Sequence, residues 1–235
     1  ITDQDGHIIA ILAGCPGDPT WEEVLQRVEE LLQDMQWTCC VPNGSDKHCR
    51  GVFTTLQCGF SHGGGQEQPQ NHANNKTNKQ VLHHLNSSEP MRCIAGFGSS
   101  VLQSWAPKLH AYYVEKLGSL QCHEPSLKCP FQNSIFPTVM YNLGPQTVCY
   151  PHIDTANLPF GLCAITALGS FNSKKGSHLV LWECGLMIKF LASSTILVPS
   201  AIIHHSNITI SPFETRFSAT QYAARGLFHW VDHKF

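Results

Sequence analysis

The chain has 235 residues, of which 42% are hydrophobic and 14% are charged, and its formal net charge is −2 at pH 7. This length and apolar content suit one compact domain with a substantial core. The charge balance excludes a uniformly basic nucleic-acid-binding protein, so any contact with nucleic acid has to come from local patches.

The N-terminal part predicts a short strand followed by a helix. Residues 5–16, "DGHIIAILAGCP", have the apolar run and the glycine-proline ending of a strand and turn. Residues 20–35 carry apolar side chains at helical spacing, and Thr20 with Glu23 predicts a capping box at the helix start. We expect this helix to pack on the outside of a sheet.

The middle of the chain predicts a long polar loop and then helix. Residues 61–80, "SHGGGQEQPQNHANNKTNKQ", are rich in Gly, Asn and Gln, and such a loop inside a compact domain is typically mobile or functional. Residues 99–118 are predicted to be helical. Pro107 should kink that helix or divide it in two.

From residue 134 the pattern changes to short β-prone runs separated by turn residues. About eight strands at this spacing predict a jelly roll or barrel. The fold class is therefore mainly β with flanking helices, a single domain in which residues 1–133 buttress a core at residues 134–235. The predicted strands are 134–143, 146–153, 161–168, 178–184, 186–191, 194–205, 215–223 and 226–231.

Eleven cysteines are scattered without any Cys-x-x-Cys pair. Their odd number and irregular spacing disfavour a zinc ribbon or a complete disulfide framework. Reduced thiols in an intracellular compartment are the expectation, and no signal peptide, membrane span or lipidation motif argues against it. A small metal site remains an alternative, built from Cys39, Cys49 and Cys58 with His48 or His62.

The stretch "YPHIDTAN" places His152 and Asp154 two positions apart, where side chains of a strand share one face. Further along, "AIIHHSN" offers His204 and His205 at the end of another apolar run. Two histidines and one carboxylate make a facial triad, which leaves positions on iron(II) open for a co-substrate and O2. The spacing alone leaves open which of the two adjacent histidines is the ligand.

Arg216 and Ser218 follow on the next predicted strand, in "ETRFSATQY". An arginine with a serine at i+2 can hold a carboxylate through parallel hydrogen bonds. This arrangement suits 2-oxoglutarate, with the keto acid on iron and the far carboxylate on Arg216. The alternative is that Arg216 only pairs with Glu214 or Glu183 at the surface.

Long motifs in this order resemble one family. Residues 142–183 and 194–231, together with residues 5–24, "GGGQEQP" and "RCIAGFGSS", are similar to the TET/JBP dioxygenases, and in particular to their fungal (mushroom) branch. The resemblance implies a double-stranded β-helix that uses Fe(II), 2-oxoglutarate and O2 to oxidise methyl groups on DNA bases.

The resemblance also implies roles for individual residues. His152, Asp154 and His205 would hold iron, and the family pattern His-Ser-Asn selects His205. Arg216, with Ser218, would hold the co-substrate as part of the catalytic set. Asn157 occupies the place of a residue that hydrogen-bonds the target base.

One position departs from the family. Ala224 stands where animal and amoeboid relatives carry a histidine that contacts cytosine. This puts strict 5-methylcytosine recognition in doubt. It leaves room for N6-methyladenine, which is a substrate within the fungal branch.

The implied partner is methylated DNA in duplex form, with the target base flipped out of the helix. We expect a monomer that acts in the nucleus without a membrane contact. Groove contacts are assigned to the glycines of the 61–80 loop and phosphate contacts to nearby cations. These residues are Gly63, Gly64, Gly65, Lys76, Lys79, Lys174 and Lys175, with Lys47 and Arg50 as further candidates.

Two other functions stay open at this point. A 2-oxoglutarate hydroxylase with a protein, lipid or small-molecule substrate would use the same triad and arginine. A metal-free jelly-roll binding module, secreted and glycosylated, would explain the four Asn-x-Ser/Thr triplets. These begin at Asn43, Asn75, Asn86 and Asn207.

Overall fold

The computed structural model describes residues 1–42 and 44–235, and these residues form twelve strands and five helices. The strands are β1 (Ile11–Gly14), β2 (Lys47–His48), β3 (Gly51–Val52), β4 (Thr54–Ser61), β5 (Gln70–Asn71), β6 (Thr138–Leu143), β7 (Cys163–Leu168), β8 (Leu179–Leu181), β9 (Leu186–Ile188), β10 (Thr195–Val198), β11 (His205–Asn207) and β12 (Phe217–Tyr222). The helices are α1 (Trp21–Thr38), α2 (Lys76–Ser87), α3 (Glu89–Trp105), α4 (Pro107–His123) and α5 (Arg225–Asp232).

Two antiparallel sheets make up the core. The large sheet has the strand order β1-β10-β7-β12-β6-β4-β5, and the small sheet has the order β11-β8-β9. A separate hairpin joins β2 to β3. Three strands of the large sheet, β1, β4 and β5, come from residues 1–133, so the sheet is not confined to residues 134–235.

The large sheet separates a helical layer from the candidate site. Val139, Tyr141 and Leu143 of β6 pack with Phe217 and Ala219 of β12 against α1, α2 and α3. The alternate side chains of the same strands face the other way and line two cavities. This is the period-2 alternation of a sheet with one face on the core. A further apolar cluster joins β7 and β10 to β8 of the small sheet.

Several helices agree with the sequence prediction. The helix predicted at residues 20–35 is α1, with Val28 and Leu32 fully buried. Pro107 divides the second helical region, because α3 ends at Trp105 and α4 begins at the proline. The predicted capping box is wrong: the Thr20 hydroxyl donates to Asp18 instead (2.7 Å), and the Thr20 side chain accepts no bond from the helix.

The 61–80 region contains more structure than a loop. It includes β5 and the start of α2, which begins where the Asn75 side chain accepts a hydrogen bond from the backbone N–H of Asn78 (2.8 Å). An asparagine in this place is a strong helix N-cap. The sequence did not predict α2 because the first turn of this helix is polar and its buried residues Val81, Leu82 and Leu85 come later.

Two predicted strands are wrong. Residues 226–231 lie in α5, where Leu227 and Phe228 are buried while His229 is exposed, as in an amphipathic helix. Residues 146–153 form only isolated bridges, at Gln146 and His152. Pro145 precedes this stretch and Pro151 lies within it, and neither has an N–H to donate, which interrupts a regular ladder.

Candidate active site

Three side chains converge between the two sheets. The distance from His152 Nε2 to Asp154 Oδ1 is 3.9 Å, and that from His205 Nε2 to Asp154 Oδ2 is 3.8 Å. All three ligand atoms lie within 4.8 Å of one another. His205 is buried, and the other two are half-buried. This is the two-histidine, one-carboxylate arrangement of an iron(II) facial triad.

The backbone fixes the triad although residues 146–153 form no strand. His152 and His205 exchange both backbone hydrogen bonds (3.1 and 2.9 Å), so the two ligands face each other across one bridge. The Asp154 N–H donates to the Ser200 carbonyl (2.8 Å), and this second backbone hydrogen bond fixes the position of Asp154. Residues distant in the chain are thereby brought together.

In each histidine, the contact made by Nδ1 determines which ring nitrogen carries the hydrogen. His152 Nδ1 lies 2.7 Å from the Tyr150 carbonyl, and His205 Nδ1 lies 3.0 Å from the Ile203 carbonyl. A carbonyl only accepts, so Nδ1 carries the hydrogen and Nε2 keeps its lone pair. Burial, followed by the neighbouring His205, lowers the pKa of His152 and favours the neutral ring that a metal requires.

The structure distinguishes between the two adjacent histidines. His205 is 5% exposed and faces the cavity, whereas His204 is exposed on the opposite side. The ring and the backbone N–H of His204 are both bound by the Glu183 carboxylate. The structure thus brings His205, and not His204, together with His152 and Asp154.

Arg216 lies at the base of a narrow inner cavity and is 3% exposed. Its Nε donates to Ser177 Oγ (2.8 Å) and its Nη1 donates to the Thr147 carbonyl (3.2 Å). Within residues 1–42 and 44–235 it has no carboxylate partner, and burial lowers its pKa. A buried, unpaired cation is costly, so this site is suited to an anionic ligand.

The surface alternatives for Arg216 are excluded by their own contacts. Glu214 accepts hydrogen bonds from the backbone N–H groups of Asn172 and Ser211 (both 2.8 Å). Glu183 is bound to His204. Neither carboxylate is within ion-pair distance of Arg216.

The inner cavity also has unfilled hydrogen-bonding capacity. Asn142 Nδ2 donates to Ser218 Oγ (2.8 Å), while its Oδ1 is buried without any partner. Because buried polar atoms are nearly always paired, this amide indicates room for a polar ligand. Arg216, Ser218 and Asn142 together fit a carboxylate that reaches in from the metal side.

A second, outer chamber of about 310 Å³ opens on His152 and Asp154 of the triad. Its wall includes Asn157, Met140 and Tyr222, and it shares His152, Asp154, Arg50 and Thr220 with the inner cavity. The metal position is therefore reached from two sides. The inner cavity contains the Arg216 guanidinium, and the outer chamber opens outward.

Arg50, which the sequence offered only as a candidate phosphate contact, lies at the junction of the two cavities. It is half-buried, its Nη1 contacts Met140 Sδ (3.0 Å), and it has no carboxylate partner among the described residues. It sits in the short β2–β3 hairpin and is tied to the metal segment because the Tyr150 N–H donates to the Arg50 carbonyl (2.8 Å). No local motif marks this arginine.

Asn157 lines the outer chamber, and Ala224 is its neighbour in the backbone. They form an isolated antiparallel bridge, and both are buried. The position of the histidine found in the relatives is thus next to Asn157 in space, and in this chain it carries only a methyl group.

Of the residues predicted to contact DNA, Arg50 lines both cavities, whereas the glycines and the lysines lie on the surface and line neither. Gly63–Gly65 are exposed in the β4–β5 connection, which is anchored because His62 Nδ1 lies 3.1 Å from the Gly226 carbonyl at the start of α5. The four lysines are exposed on α2 and on the β7–β8 connection. They are Lys76, Lys79, Lys174 and Lys175.

The alternative cysteine metal site does not form in the part of the chain that the structure describes. There, the ligand groups that come together are the triad and an exposed set of Asp3, Asp5 and His7. No helix among the described residues is long and apolar enough to span a bilayer.

In three of the four Asn-x-Ser/Thr triplets, the asparagine side chain is hydrogen-bonded within the protein. Asn86 bonds Cys58 and Tyr141, Asn207 bonds the Cys149 backbone, and Asn75 caps α2. Asn43 lies outside the described residues. These contacts remove the main support for a glycosylated binding module.

Comparisons with known proteins define the fold. No family model and no curated protein matches the chain. Among solved structures, NgTET1 in complex with 5mC DNA aligns with a TM-score of 0.69 at 16% identity, over 95% of this chain and 75% of that chain.

Two bacterial structures also align. A 2OG-Fe(II) oxygenase family oxidoreductase from Burkholderia pseudomallei has a TM-score of 0.44 at 13% identity, over 90% of this chain and 93% of its own. A Pseudomonas putida prolyl-4-hydroxylase has a TM-score of 0.45 at 10% identity, over 92% of each chain.

The chain therefore has the double-stranded β-helix fold with antiparallel sheets, as the sequence predicted, and its five described helices make it a mixed α and β structure. The triad at the junction of the cavities, within this fold, supports Fe(II) and 2-oxoglutarate as its cofactors.

Proposed function

We propose that this chain is an Fe(II)/2-oxoglutarate-dependent dioxygenase that oxidises the methyl group of a modified base in DNA. The observation that carries the proposal is a facial triad placed between a cationic inner cavity and an outer chamber of about 310 Å³. The likeness to a structure solved with 5mC DNA supports this substrate class, and the sequence motifs support the fungal TET-like branch. Nuclear localisation and a monomeric state belong to the same proposal.

The inner cavity binds the co-substrate in this proposal. Arg216 and Ser218 hold the far carboxylate of 2-oxoglutarate, and Asn142 adds a polar contact beside Ser218. Arg50 would supply a second positive charge beside His152 and Asp154, near the metal position. Iron bound by the triad supplies the activation of O2, coupled to oxidative decarboxylation of the keto acid.

The outer chamber holds the base. A methyl group within a duplex cannot reach ligands recessed between two sheets, so the nucleotide has to be flipped out at a cost of a few kcal/mol. The chamber walls exclude water and fix the base, which positions its methyl group near the metal. Asn157 contacts the base edge from the chamber wall.

The neighbour of Asn157 bears on the choice of base. Ala224 offers no imidazole beside Asn157 to contact cytosine, which supports N6-methyladenine as a substrate beside 5-methylcytosine. A hydroxymethyl group on N6 breaks down to adenine and formaldehyde. The same group on C5 of cytosine is stable.

The test is turnover on matched duplexes that carry either N6-methyladenine or 5-methylcytosine. Product nucleosides are measured by mass spectrometry, and succinate is measured in parallel. We expect base oxidation with one succinate per oxidised methyl group. Succinate formed at an unchanged low rate with and without either duplex would contradict DNA as the substrate while leaving the cofactor assignment intact.

A hydroxylase with another substrate is the second candidate, favoured by one observation. Apart from Arg50 and the metal ligands, the outer chamber is lined by uncharged side chains, and the chain as a whole carries a charge of −2. Stimulation of succinate formation by a protein or small molecule, and not by methylated DNA, would favour it.

The glycine loop supplies a prediction about duplex binding. Gly63, Gly64 and Gly65 all have positive φ (152°, 60° and 87°), and the turn is closed by Gly63 N–H donating to Gln66 Oε1 (3.0 Å). Replacing all three by valine strains each residue and reshapes the exposed turn. We expect duplex affinity to fall by about 10-fold, with 2-oxoglutarate affinity unchanged.

Fluorescence anisotropy of a labelled duplex measures this effect. A matched control replaces Gly118, which lies in α4 with open space around its α-carbon. Gly118→Val should leave duplex affinity unchanged. Undiminished binding by the loop variant would exclude this loop as a DNA contact.

A further inference from the structure

We propose that Met140 is a site of self-oxidation, at which the protein adds one oxygen atom to its own thioether sulfur when 2-oxoglutarate and O2 are present without a methylated base. The product is methionine sulfoxide, a modification that closes the outer chamber to further turnover. This inference rests on the dioxygenase activity under the proposed function, and it does not depend on which base is oxidised.

Met140 lies on the face of β6 that is directed at the site. It pairs with Thr220 of β12, and Thr220 lines both the inner cavity and the outer chamber. The wall of the outer chamber includes Met140 together with the metal ligands His152 and Asp154. The thioether therefore borders the space in which the reacting methyl group of a base would lie.

Arg50 fixes the position of the sulfur. Its Nη1 donates to Met140 Sδ (3.0 Å), and its carbonyl accepts a hydrogen bond from the N–H of Tyr150 (2.8 Å), two residues before the ligand His152. A methionine side chain is flexible when it is free, whereas this one is 9% exposed and is bonded at its sulfur. A thioether sulfur has two lone pairs, so one remains available to an incoming oxygen atom.

The reaction balances with the two co-substrates alone. O2 takes up four electrons, two from 2-oxoglutarate, whose bond between C1 and C2 breaks as CO2 leaves, and two from a lone pair of the Met140 sulfur. One oxygen atom enters succinate, and the other forms the S–O bond of the sulfoxide. No net proton transfer is needed.

Oxidation strengthens the contact between Met140 and Arg50. A thioether sulfur is a weak acceptor, whereas a sulfoxide oxygen accepts a charge-assisted hydrogen bond from a guanidinium. Arg50 has no carboxylate partner among the described residues, so no ion pair competes for it. The added oxygen makes an apolar part of the wall polar and occupies room in the chamber, so we expect turnover to stop.

The other methionines supply an internal control for oxidants that diffuse in solution. Met187 is 64% exposed on β9 and lines neither cavity, whereas Met91 is 1% exposed in the helical layer. An oxidant in solution reaches the exposed Met187 first. Oxidation that begins at the metal reaches Met140 instead, so the order of exposure is reversed.

The experiment follows the origin and the position of the added oxygen. Iron-loaded protein is incubated without DNA, with 2-oxoglutarate and O2 enriched in a heavy oxygen isotope, and its peptides are mapped by mass spectrometry while succinate is measured. We expect one heavy oxygen atom on Met140, at roughly 10-fold or more the level on Met187. Omitting 2-oxoglutarate should abolish this label, and dilute hydrogen peroxide on the iron-free protein should label Met187 first.

Variants connect the label to the loss of turnover. Met140→Leu keeps a similar volume without a sulfur, so its DNA-free succinate formation should stay linear, whereas that of the wild type should slow as the label accumulates. Cys49→Ser removes the exposed thiol that also lines the chamber and should leave the Met140 label in place.

Arg50 is tested as a positioning residue by the amount of Met140 label per succinate formed, a ratio that corrects for any change in turnover. Arg50→Leu should lower this ratio by roughly 10-fold because the sulfur is no longer held, and Arg50→Lys should restore part of it. A saturating methylated duplex should also lower it, since the base then occupies the chamber. An unchanged ratio in Arg50→Leu would show that Arg50 does not position the sulfur.

The outcomes separate this inference from the proposed function. Protein that turns over methylated duplex but gains no label on Met140 overturns self-oxidation and leaves the proposed function standing. Equal or greater label on Met187 does the same, because an oxidant in solution then accounts for it. No succinate from the iron-loaded wild type, with or without methylated duplex, overturns the proposed function together with self-oxidation.

Discussion

Replacing His205 by alanine is expected to abolish turnover, whereas replacing its neighbour His204 is expected to leave turnover within about 3-fold of the wild type. His205 is buried with Nε2 directed at Asp154, and its loss removes one of three ligands. Replacing residues that only support metal ligands typically costs 10- to 100-fold, so loss of a ligand should cost more than about 100-fold. His204 is exposed and bound to Glu183.

The two variants form a matched pair, with the same residue type and the same substitution at adjacent positions. Iron content after anaerobic loading and succinate formation are the measurements. Asp154→Ala should behave as His205→Ala does, with circular dichroism showing that each variant stays folded. If His204→Ala lost its iron while His205→Ala kept it, the triad would be wrongly assigned.

Replacing Arg216 by methionine should raise the 2-oxoglutarate concentration needed for half-maximal turnover by about 100-fold, because truncating one partner of a buried charge pair costs about 2–5 kcal/mol. The same change should stabilise the cofactor-free protein, since it removes a buried cation whose bonds are limited to Ser177 and Thr147. A residue that harms ligand binding and yet stabilises the empty fold when removed is typical of a binding site.

Thermal unfolding with and without 2-oxoglutarate, in the presence of manganese, measures both effects. Ligand at 100 times its Kd stabilises the wild type by about 2.7 kcal/mol, and the variant should lose this shift at the same concentration. Arg225→Met, at an exposed arginine, is the control and should alter neither quantity. An unchanged 2-oxoglutarate requirement in Arg216→Met would refute the co-substrate assignment.

The sequence predicted those features that rest on local patterns. The buried face of α1 and the division at Pro107 follow from periodicity and from proline chemistry, and the strands of the core follow from short apolar runs between turn residues. The same method failed at residues 226–231, where six residues, four of them apolar, are too few to distinguish a strand from about one and a half turns of helix. At residues 146–153, Pro151 within the stretch and Pro145 just before it interrupt the predicted ladder.

The site was predictable where residue types are diagnostic and not where position alone matters. His152, Asp154 and Arg216 have side chains that suit a metal and a carboxylate, so their types suggested their roles. Arg50 reaches the cavities only because a short hairpin folds against the Tyr150 backbone. Similarly, Met140 meets Arg50 through a tertiary contact that no local spacing encodes.

The placement of β1 at the margin of the large sheet has a consequence for handling the protein. Residues 11–14 cover the outer side of β10, whose four residues are all buried. A chain trimmed of this segment would expose unpaired N–H and C=O groups along an apolar edge, which is a template for pairing with other molecules. Shortened forms should therefore be lost to aggregation, even though every residue of the metal and co-substrate sites is still present.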